Sequence, residues 1–424
     1  MRTPLSISNS KTKQTKSQDG LLWQQVREIF AGFEQVAYAK ELESVLENLH
    51  DEELLEALES DRWTGRPGYP IGVMWRTWIA SYVRDIPTIQ ELIRTLHRDP
   101  ILATRCGIRS DDEIPTRFAY YRFVKKLIRY RDLIEGCMAK TIEALQMQQP
   151  GFGELVAVDS TDIESYVNWS KKPLSDPDAK WGWRKGKDGK DEMYPGYRMH
   201  LVSTMAGNRE IPLIPIITPA NSSDSPLMIP LLEKEGDLIK NFSPEFVLGD
   251  KGYDAAANCK YVVEDLKAIP IIDIRVRKDK ARRFQDIADE KGTPYCAWNV
   301  PYVFWGYDKK QKRLKYRCPL AAGKEGCTWL DKCSKSSYGE VVKIKLSDDY
   351  RRFIQIPRHT KRWKDLYNKR IVVEHCFSKL KKNGDGKLVK HRIRGLQKIT
   401  LNSLLAVWVS QAKEFEKTEV QNDH

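Results

Sequence analysis

The chain of 424 residues is longer than one ordinary hydrophobic core needs, so we expect two or three domains. Hydrophobic residues make up 41% of it and aromatic residues 10%, which excludes a globally disordered chain. The formal net charge is +13 at pH 7, and residues 351–400 alone hold 16 Lys/Arg against 3 Asp/Glu. This concentration of charge indicates either a polyanionic partner (nucleic acid or an anionic membrane) or a solvated basic face.

The apolar stretches of the chain are short. Leu404–Val409, among the longest, falls far short of the ~20 residues that a bilayer span needs. The polar N-terminus lacks the apolar core of a signal peptide. We therefore predict a cytoplasmic protein that has no membrane partner and keeps its cysteines reduced.

Helical periodicity predicts a helical N-terminal domain over residues 21–150, preceded by a flexible tail over 1–20. Within it, Glu41–Asp61 carries nine acidic residues and no Lys or Arg, with leucines at helical spacing. This pattern predicts a pair of amphipathic helices with a solvated acidic face. The turn signal at Gly65–Pro70 predicts the start of a further helix.

A basic and aromatic helix is predicted after Thr116, which has the side chain of a helix N-cap. Arg122 and Lys126 then share one face, and Phe118 and Tyr121 are expected to face a core. A helix of this kind after short helices and a turn fits a helix-turn-helix that binds DNA. A plain solvated basic face is the alternative.

The sequence period changes to that of strands near residue 153, and the first part of an α/β core is predicted over 151–278. The apolar run Leu155–Val158 predicts a buried strand that ends at Asp159. Phe246–Leu248 predicts a second one that ends at Asp250. With the segments between and after them, the predicted order is β, β, β, α, β, α, β.

A carboxylate at the end of an apolar strand must be solvated or paired. A hard cation such as Mg²⁺ supplies a pairing partner, and neighbouring strand ends bring two such carboxylates together. Asp162 is an alternative to Asp159 as a metal ligand. On an extended strand it points to the opposite face, so Asp159 is favoured.

A cysteine-bearing insertion is predicted over residues 279–350. Its four cysteines have the spacing C-x21-C-x8-C-x5-C. Four thiolates fit a structural Zn²⁺ site, but the spacing lacks C-x2-C knuckles, so reduced, half-buried thiols are the alternative. Tryptophans of the insertion are expected to pack in its core, with stacking on an unpaired base as the alternative. The cysteines are Cys296, Cys318, Cys327 and Cys333, and the tryptophans are Trp298, Trp305 and Trp329.

A strong helix is predicted over about 361–382, in the last part of the core (351–412), before a tail at 413–424. On an ideal helix four of its polar side chains share one stripe within about 60°. A tyrosine, two cations and a carboxylate suit a metal ligand flanked by phosphate-binding groups, with a solvated polar face as the alternative. The four residues are Tyr367, Arg370, Glu374 and Lys381.

This YREK arrangement, together with VAVDST around Asp159 and LGDKGYD around Asp250, resembles the DDE transposases of bacterial insertion sequences. The segments GRPGYPIGVMWRTWIASYVRDIPTIQELIRTLHRDP and IPTRFAYYRFVKKL also resemble the N-terminal domain of that family. The resemblance covers roughly residues 60–410. It implies an α/β (α+β) fold, with a ribonuclease-H-like mixed-sheet catalytic core, a helical N-terminal domain and the insertion.

The resemblance also implies an active site. Asp159, Asp250 and Glu374 would be the catalytic carboxylates and would hold two Mg²⁺ (or Mn²⁺) ions. The other members of the stripe would contact the DNA backbone near the cut. The predicted DNA-binding residues, including those in the N-terminal helix and beyond the last helix, are Tyr367, Arg370, Lys381, Arg122, Lys126 and Arg394.

The implied activity is cleavage of DNA at the ends of an insertion sequence and joining of those ends to a target. The expected partners are double-stranded DNA, namely the terminal inverted repeats and the target, and a second copy of the chain in the active complex. The expected location is the cytoplasm, with the nucleoid. Two alternatives stay open: a transposase-derived DNA-binding protein that does not cut, and a metal-dependent DNA nuclease without strand transfer.

Overall fold

The structure is a computed structural model, and not all of the chain is described in it. The described residues are 37–61, 68–186, 188–207, 209–275, 288–323, 333–334, 336–381 and 387–422.

The N-terminal region is helical, as predicted. The expected amphipathic pair over Glu41–Asp61 is confirmed as the helices α1 and α2, whose leucines lie in the core. The helix expected after the turn at Gly65–Pro70 is α3, which is buried along most of its length. The bounds are α1 Ala37–Glu47, α2 Glu52–Ser60, α3 Ile71–Val83, α4 Ile89–Arg98, α5 Pro100–Arg105, α6 Arg117–Arg129 and α7 Arg131–Gln148.

The start of α6 is as predicted, but its orientation is not. The Thr116 hydroxyl accepts a hydrogen bond from the Ala119 N–H at 3.3 Å, which confirms the N-cap. The expectation that Phe118 and Tyr121 face a core is wrong, because their side chains are 63% and 52% exposed. The Tyr120 ring points inward instead and donates its hydroxyl hydrogen to the Thr77 hydroxyl on α3. The buried residues of α6 are Ala119, Tyr120, Phe123 and Leu127.

A mixed sheet forms the second layer, with the strand order β2-β3-β1-β6-β7. The central strand β1 is antiparallel to β3 and parallel to β6, which is itself parallel to β7. The long strand β3 pairs with β1 along one edge and with β2, β5 and β4 in succession along its other edge. The bounds are β1 Leu155–Glu164, β2 Lys180–Lys185, β3 Asp191–Ala206, β4 Arg209–Pro212, β5 Ile216–Pro219, β6 Phe246–Gly249 and β7 Ile269–Ile272, with α8 Met228–Leu238 before β6 and α9 Ala256–Glu264 before β7.

This mixed sheet confirms the α/β prediction, and its strand directions are those of a ribonuclease-H-like core. Two details differ from the predicted order. The strand β2 was not predicted, and the run Ile211–Thr218 is split between β4 and β5 because the chain leaves the strand after Pro212 and returns at Ile216.

The insertion contains a second, three-stranded antiparallel sheet with the order β10-β9-β8. Its inner face packs into a separate small core around Leu314, Tyr316 and Ile344. The bounds are β8 Val303–Asp308, β9 Arg313–Arg317 and β10 Val341–Lys345. Cys327 and Trp329, named in the predictions, lie outside the described residues.

The single helix predicted over about 361–382 is two helices. The first, α10, is Lys361–Asn368, and the second, α11, is Ile371–Lys381. A turn at Lys369 and Arg370 separates them. The ideal stripe therefore does not extend unbroken from Tyr367 to Lys381.

The last helix, α12, is Leu396–Asn422 and so continues past residue 413, where a tail is expected from the sequence. It packs against α1, α3 and α7 on one side and against β4 and β5 on another. The Asn402 side chain accepts a hydrogen bond from the Tyr82 hydroxyl at 3.0 Å, and Gln411 donates one to the Pro212 carbonyl at 2.8 Å. The helical region and the sheet consequently share one hydrophobic core. No helix within the described ranges has both the length and the apolarity to cross a membrane.

Candidate active site

Two of the three predicted carboxylates lie just past the point where the parallel pairing of β1 and β6 ends. The prediction that the first strand ends at Asp159 is wrong, because β1 continues to Glu164 and Asp159 is paired with Leu201 of β3. The parallel strands β1 and β6 are paired up to Val158 and Gly249, and the next residues are Asp159 and Asp250. Burial, together with the neighbouring Asp250 and Glu374 carboxylates, raises the pKa of Asp159 to about 6, against the lowering effect of the Ser160 N–H and Arg370. Negative charge is therefore gathered just past the end of the parallel pairing of β1 and β6.

The third carboxylate is linked to the first through one arginine. Arg370 Nη1 lies 2.9 Å from Asp159 Oδ2, and Arg370 Nη2 lies 2.5 Å from Glu374 Oε1. Arg370 stands in the turn before α11, and Glu374 lies four residues on, in the first turn of that helix. With the predicted helix broken at this turn, Arg370 contacts both Asp159 on β1 and Glu374 on α11.

Tyr367 supports the same arginine. Its ring lies 5.9 Å from the Arg370 guanidinium carbon and is stacked on the Trp363 ring at a centroid distance of 4.7 Å. Burial and the nearby Asp273 and Asp250 carboxylates raise the pKa of Tyr367, although Arg370 opposes this. The tyrosine is therefore a neutral side chain packed between a tryptophan and a cation.

Lys381, the last residue of α11, contacts a different carboxylate. Its ammonium lies 3.1 Å from Asp162 Oδ1, and Arg184 Nη1 of β2 lies 2.9 Å from Asp162 Oδ2. Burial alone would raise the pKa of Asp162, but Lys381 and Arg184 outweigh it and hold that pKa below its ordinary value. Asp162 therefore stands away from the Asp159 carboxylate as the partner of two cations.

A group around Asp224 was missed by the sequence reasoning. Asp224 Oδ1 accepts a hydrogen bond from the Ser160 hydroxyl at 2.8 Å, and Arg198 Nη1 lies 3.0 Å from Asp224 Oδ2. The buried His200 lies against the same carboxylate, with Nδ1 3.6 Å from Asp224 Oδ1. The sequence signal was faint, since Asp224 follows a polar run (NSSD) that is typical of a turn.

Tyr253 is a buried tyrosine three residues after Asp250. It is 1% exposed, and within the described part of the chain its hydroxyl has no hydrogen-bond partner. Burial and the Asp159, Asp224 and Asp250 carboxylates raise its pKa well above the ordinary value. A buried hydroxyl of this kind is ordinarily satisfied by an ordered water or a bound ligand.

The donor set fits a divalent cation. Asp159, Asp250 and Glu374 supply three carboxylates against the single guanidinium of Arg370, and carboxylate oxygens are the ligands that Mg²⁺ and Mn²⁺ prefer. As the side chains stand, no group of three or more His, Cys, Asp or Glu in the described ranges is arranged to hold a metal ion. The Arg370 guanidinium supplies the positive charge between the carboxylates of Asp159 and Glu374.

The other predicted DNA-binding residues lie on separate surfaces. Arg122 is exposed on α6. Lys126 donates a hydrogen bond to the Leu58 carbonyl at 2.7 Å and lies 3.3 Å from Asp61, so its charge is already paired within the chain. Arg394 is exposed and donates from Nε to the Tyr166 carbonyl at 2.6 Å.

Three of the four predicted zinc ligands are described. Cys296 and Cys318 are half-buried and pack against the core of the insertion, while Cys333 is exposed. The Trp298 indole N–H donates to Cys333 Sγ at 3.1 Å. With Cys327 outside the described residues, the zinc site stays a prediction.

The fold and the site agree with two family matches. Residues 150–410 match the family described as the transposase DDE domain, and residues 32–126 match a transposase domain family. No curated protein is similar enough to match. Since the first match spans more than half of the chain, the protein belongs to the DDE transposases of insertion sequences. Members of this class act on DNA, and their DDE domains depend on divalent metal ions.

Proposed function

We propose that this transposase cuts DNA at the ends of its insertion sequence and joins those ends to target DNA. The observation that carries the proposal is that Asp159 and Asp250 directly follow the last parallel pair of β1 and β6, with Glu374 joined to Asp159 through Arg370. The three carboxylates form an acidic centre in which Arg370 contacts Asp159 and Glu374.

Asp159, Asp250 and Glu374 would hold two Mg²⁺ (or Mn²⁺) ions, with cytosolic magnesium as the ordinary source. When bound, such ions activate an attacking hydroxyl and stabilise the leaving oxygen of an in-line phosphoryl displacement. The remaining work falls to the protein, which must bind the DNA backbone and orient the phosphate.

Arg370 is suited to that work because a guanidinium binds phosphate oxygens in a two-pronged manner. Its contacts to Asp159 and Glu374 hold it at the acidic centre, and the stacked pair of Trp363 and Tyr367 limits its rotation. Lys381, the last residue of α11, would add a point charge farther along the DNA strand.

The active complex would contain at least two copies of the chain, since two ends must be held while both are joined to one target. Exposed basic side chains at Arg122 and Arg394 would hold DNA away from the cut. The complex would form in the cytoplasm, on the nucleoid.

The test uses purified protein, linear DNA with the short repeats that flank the gene, and a supercoiled plasmid as target. We expect Mg²⁺-dependent breaks at the repeat ends and joined products, with wild-type activity in the control Asp237→Asn, which changes an exposed carboxylate on α8. Tight binding of the repeats with no breaks would favour the DNA-binding alternative. Breaks without joined products would favour the nuclease alternative.

A further inference from the structure

The outer face of the insertion sheet carries an unusual set of charges. In β9 the residues Leu314 and Tyr316 are buried, and in β10 Ile344 is buried. Since side chains alternate along a strand, the residues between them point to the opposite face. We name the tryptophan and the cations of this outer face the insertion platform; they are Trp305, Arg313, Lys315, Arg317, Lys343 and Lys345.

The register of the two strands places cation against cation. Lys343 is directly opposite Lys315, and Lys345 is directly opposite Arg313. Like charges in directly opposed positions destabilise an antiparallel pair. On the other side of β9, Asp308 is directly opposite Arg313, and its carboxylate lies 3.0 Å from Lys315. This one carboxylate offsets only part of the charge of the four cations. A sheet that served only as a scaffold would gain stability from mixed charges here, so the arrangement points to an anion supplied from outside.

Arg317 is held in the same face by two exposed aromatic rings. Its guanidinium carbon lies 4.8 Å from the Trp305 ring centre and 4.5 Å from that of Tyr338, and its Nε donates to the Tyr338 carbonyl at 3.0 Å. Trp305 and Tyr338 are 58% and 61% exposed. Two exposed rings that clamp a guanidinium reduce its freedom, so less entropy is lost when it binds a phosphate.

The base of the insertion is fixed to the catalytic sheet. Arg358 is 5% exposed, and it donates from Nε to the Ile272 carbonyl at the end of β7 and from Nη2 to the Arg351 carbonyl. In the chain, the insertion platform lies between the strand that leads to Asp250 and the helix that carries Glu374. The segment that follows the insertion is therefore fastened to β7 of the catalytic sheet.

We propose that the insertion platform binds the phosphate backbone of the DNA on which the active site acts. The proposal rests on the proposed function for the identity of the DNA. The cations repeat at every second residue, and a polyanion with regularly spaced charges neutralises such a row where a single small anion does not.

The test is a double variant, Lys343→Glu with Lys345→Glu, which reverses the charge at two positions of the insertion platform. Each change puts a carboxylate opposite a cation, so the melting temperature should stay equal or rise. DNA affinity should fall, and the slope of log affinity against log salt should decrease by about 0.9 for each phosphate that the variant no longer neutralises. If the two lysines had only a structural role, the double variant would lose thermal stability and DNA affinity together. If they bind DNA, the DNA affinity falls while the melting temperature stays equal or rises.

Lys240→Glu, a reversal at an exposed lysine next to α8, is the matched control and should leave the salt slope unchanged. Wild-type affinity and salt slope in the double variant would overturn the platform, provided that the wild-type protein itself binds the repeats. If the wild-type protein binds no DNA, the proposed function fails instead. A parallel measurement uses vesicles containing phosphatidylserine: a platform-dependent binding to them, with DNA binding unaffected, would overturn DNA as the ligand.

Discussion

The ammonium of Lys381 lies 3.1 Å from the carboxylate of Asp162, which joins the end of α11 to the strand that carries Asp159. Arg184 holds the other oxygen of that carboxylate and also contacts Glu164 and Glu192. Asp162 thus holds the Lys381 ammonium against β1 and is itself held by Arg184 of β2. Its part in the site is to position a cation.

For Asp162→Asn we expect slower cleavage of pre-bound DNA, by about tenfold, because a loosened charged contact is worth about 1 to 2 kcal/mol. The metal concentration for half-maximal activity should not change, since Asp162 is not expected to bind metal. The double variant with Lys381→Ala should be no slower than Lys381→Ala alone. A shift in metal dependence, or additive effects of the two changes, would argue against positioning. Asp188→Asn changes an exposed carboxylate between β2 and β3 and serves as control.

Removing any one of the three carboxylates should abolish cleavage. Asp159→Ala, Asp250→Ala and Glu374→Ala should each reduce the rate at least about 1000-fold, because each ligand supports several kcal/mol of transition-state stabilisation. Folding and binding of the repeats should be retained. Single-turnover cleavage in Mg²⁺, with circular dichroism on the same samples, measures both. Substantial cleavage by any one variant would remove that residue from the site.

Arg370 and Arg394 should differ in what their replacement changes. Arg370→Ala should slow cleavage of pre-bound DNA by more than it weakens binding, since its guanidinium lies between Asp159 and Glu374. Arg394→Ala should weaken binding and flatten the salt slope by about one phosphate contact. Titrations at several salt concentrations separate the two effects. Wild-type cleavage by pre-bound Arg370→Ala would show that its assigned role is wrong.

The zinc prediction has a simple measurement. Four thiolate ligands hold about one zinc ion per chain. Elemental analysis of protein purified without added metal should then find it, and Cys318→Ser should lose it. Folded, active protein with almost no zinc would favour the half-buried thiols instead.

Acid should destabilise the protein through His391. The side chain is 5% exposed, and burial lowers its pKa to about 4 from an ordinary 6.5. The folded state therefore resists a proton that the unfolded state accepts, so this contribution to stability is complete above pH 6.5 and is lost as the pH falls towards 4. At pH 5 the loss is about 2 kcal/mol relative to pH 7.

Urea unfolding of wild type and of His391→Asn at both pH values measures this contribution. The pH-dependent loss should be smaller in the variant, although His200, whose pKa is likewise lowered to about 4, still contributes. An identical pH dependence in the two proteins would exclude His391 as a cause.

The sheet and its two aspartates were predictable because apolar runs end abruptly at Asp159 and Asp250. The break before α11 was not, since nothing at Lys369 and Arg370 is a helix breaker and the turn is decided by tertiary contacts of Arg370. The predicted orientation of α6 was wrong because aromatic residues are present on both of its faces.

The insertion sheet was missed although its signal was present. The segment RLKYR at Arg313–Arg317 alternates apolar and basic residues with the period of a strand. High overall charge concealed that alternation. The helix α12 was missed for the opposite reason, because a helix buried on most sides has no amphipathic period to detect.

The helix α12 is synthesised after every element that it joins. The Trp408 indole donates to the Thr141 hydroxyl of α7, and Lys413 lies 2.8 Å from Glu41 of α1. Gene copies with a stop codon before Asn402 would encode products without these contacts. Such products should be unfolded and degraded, and so should not compete with the intact protein for DNA ends. Truncated copies of the element would then have no effect on transposition and would not repress its active copies.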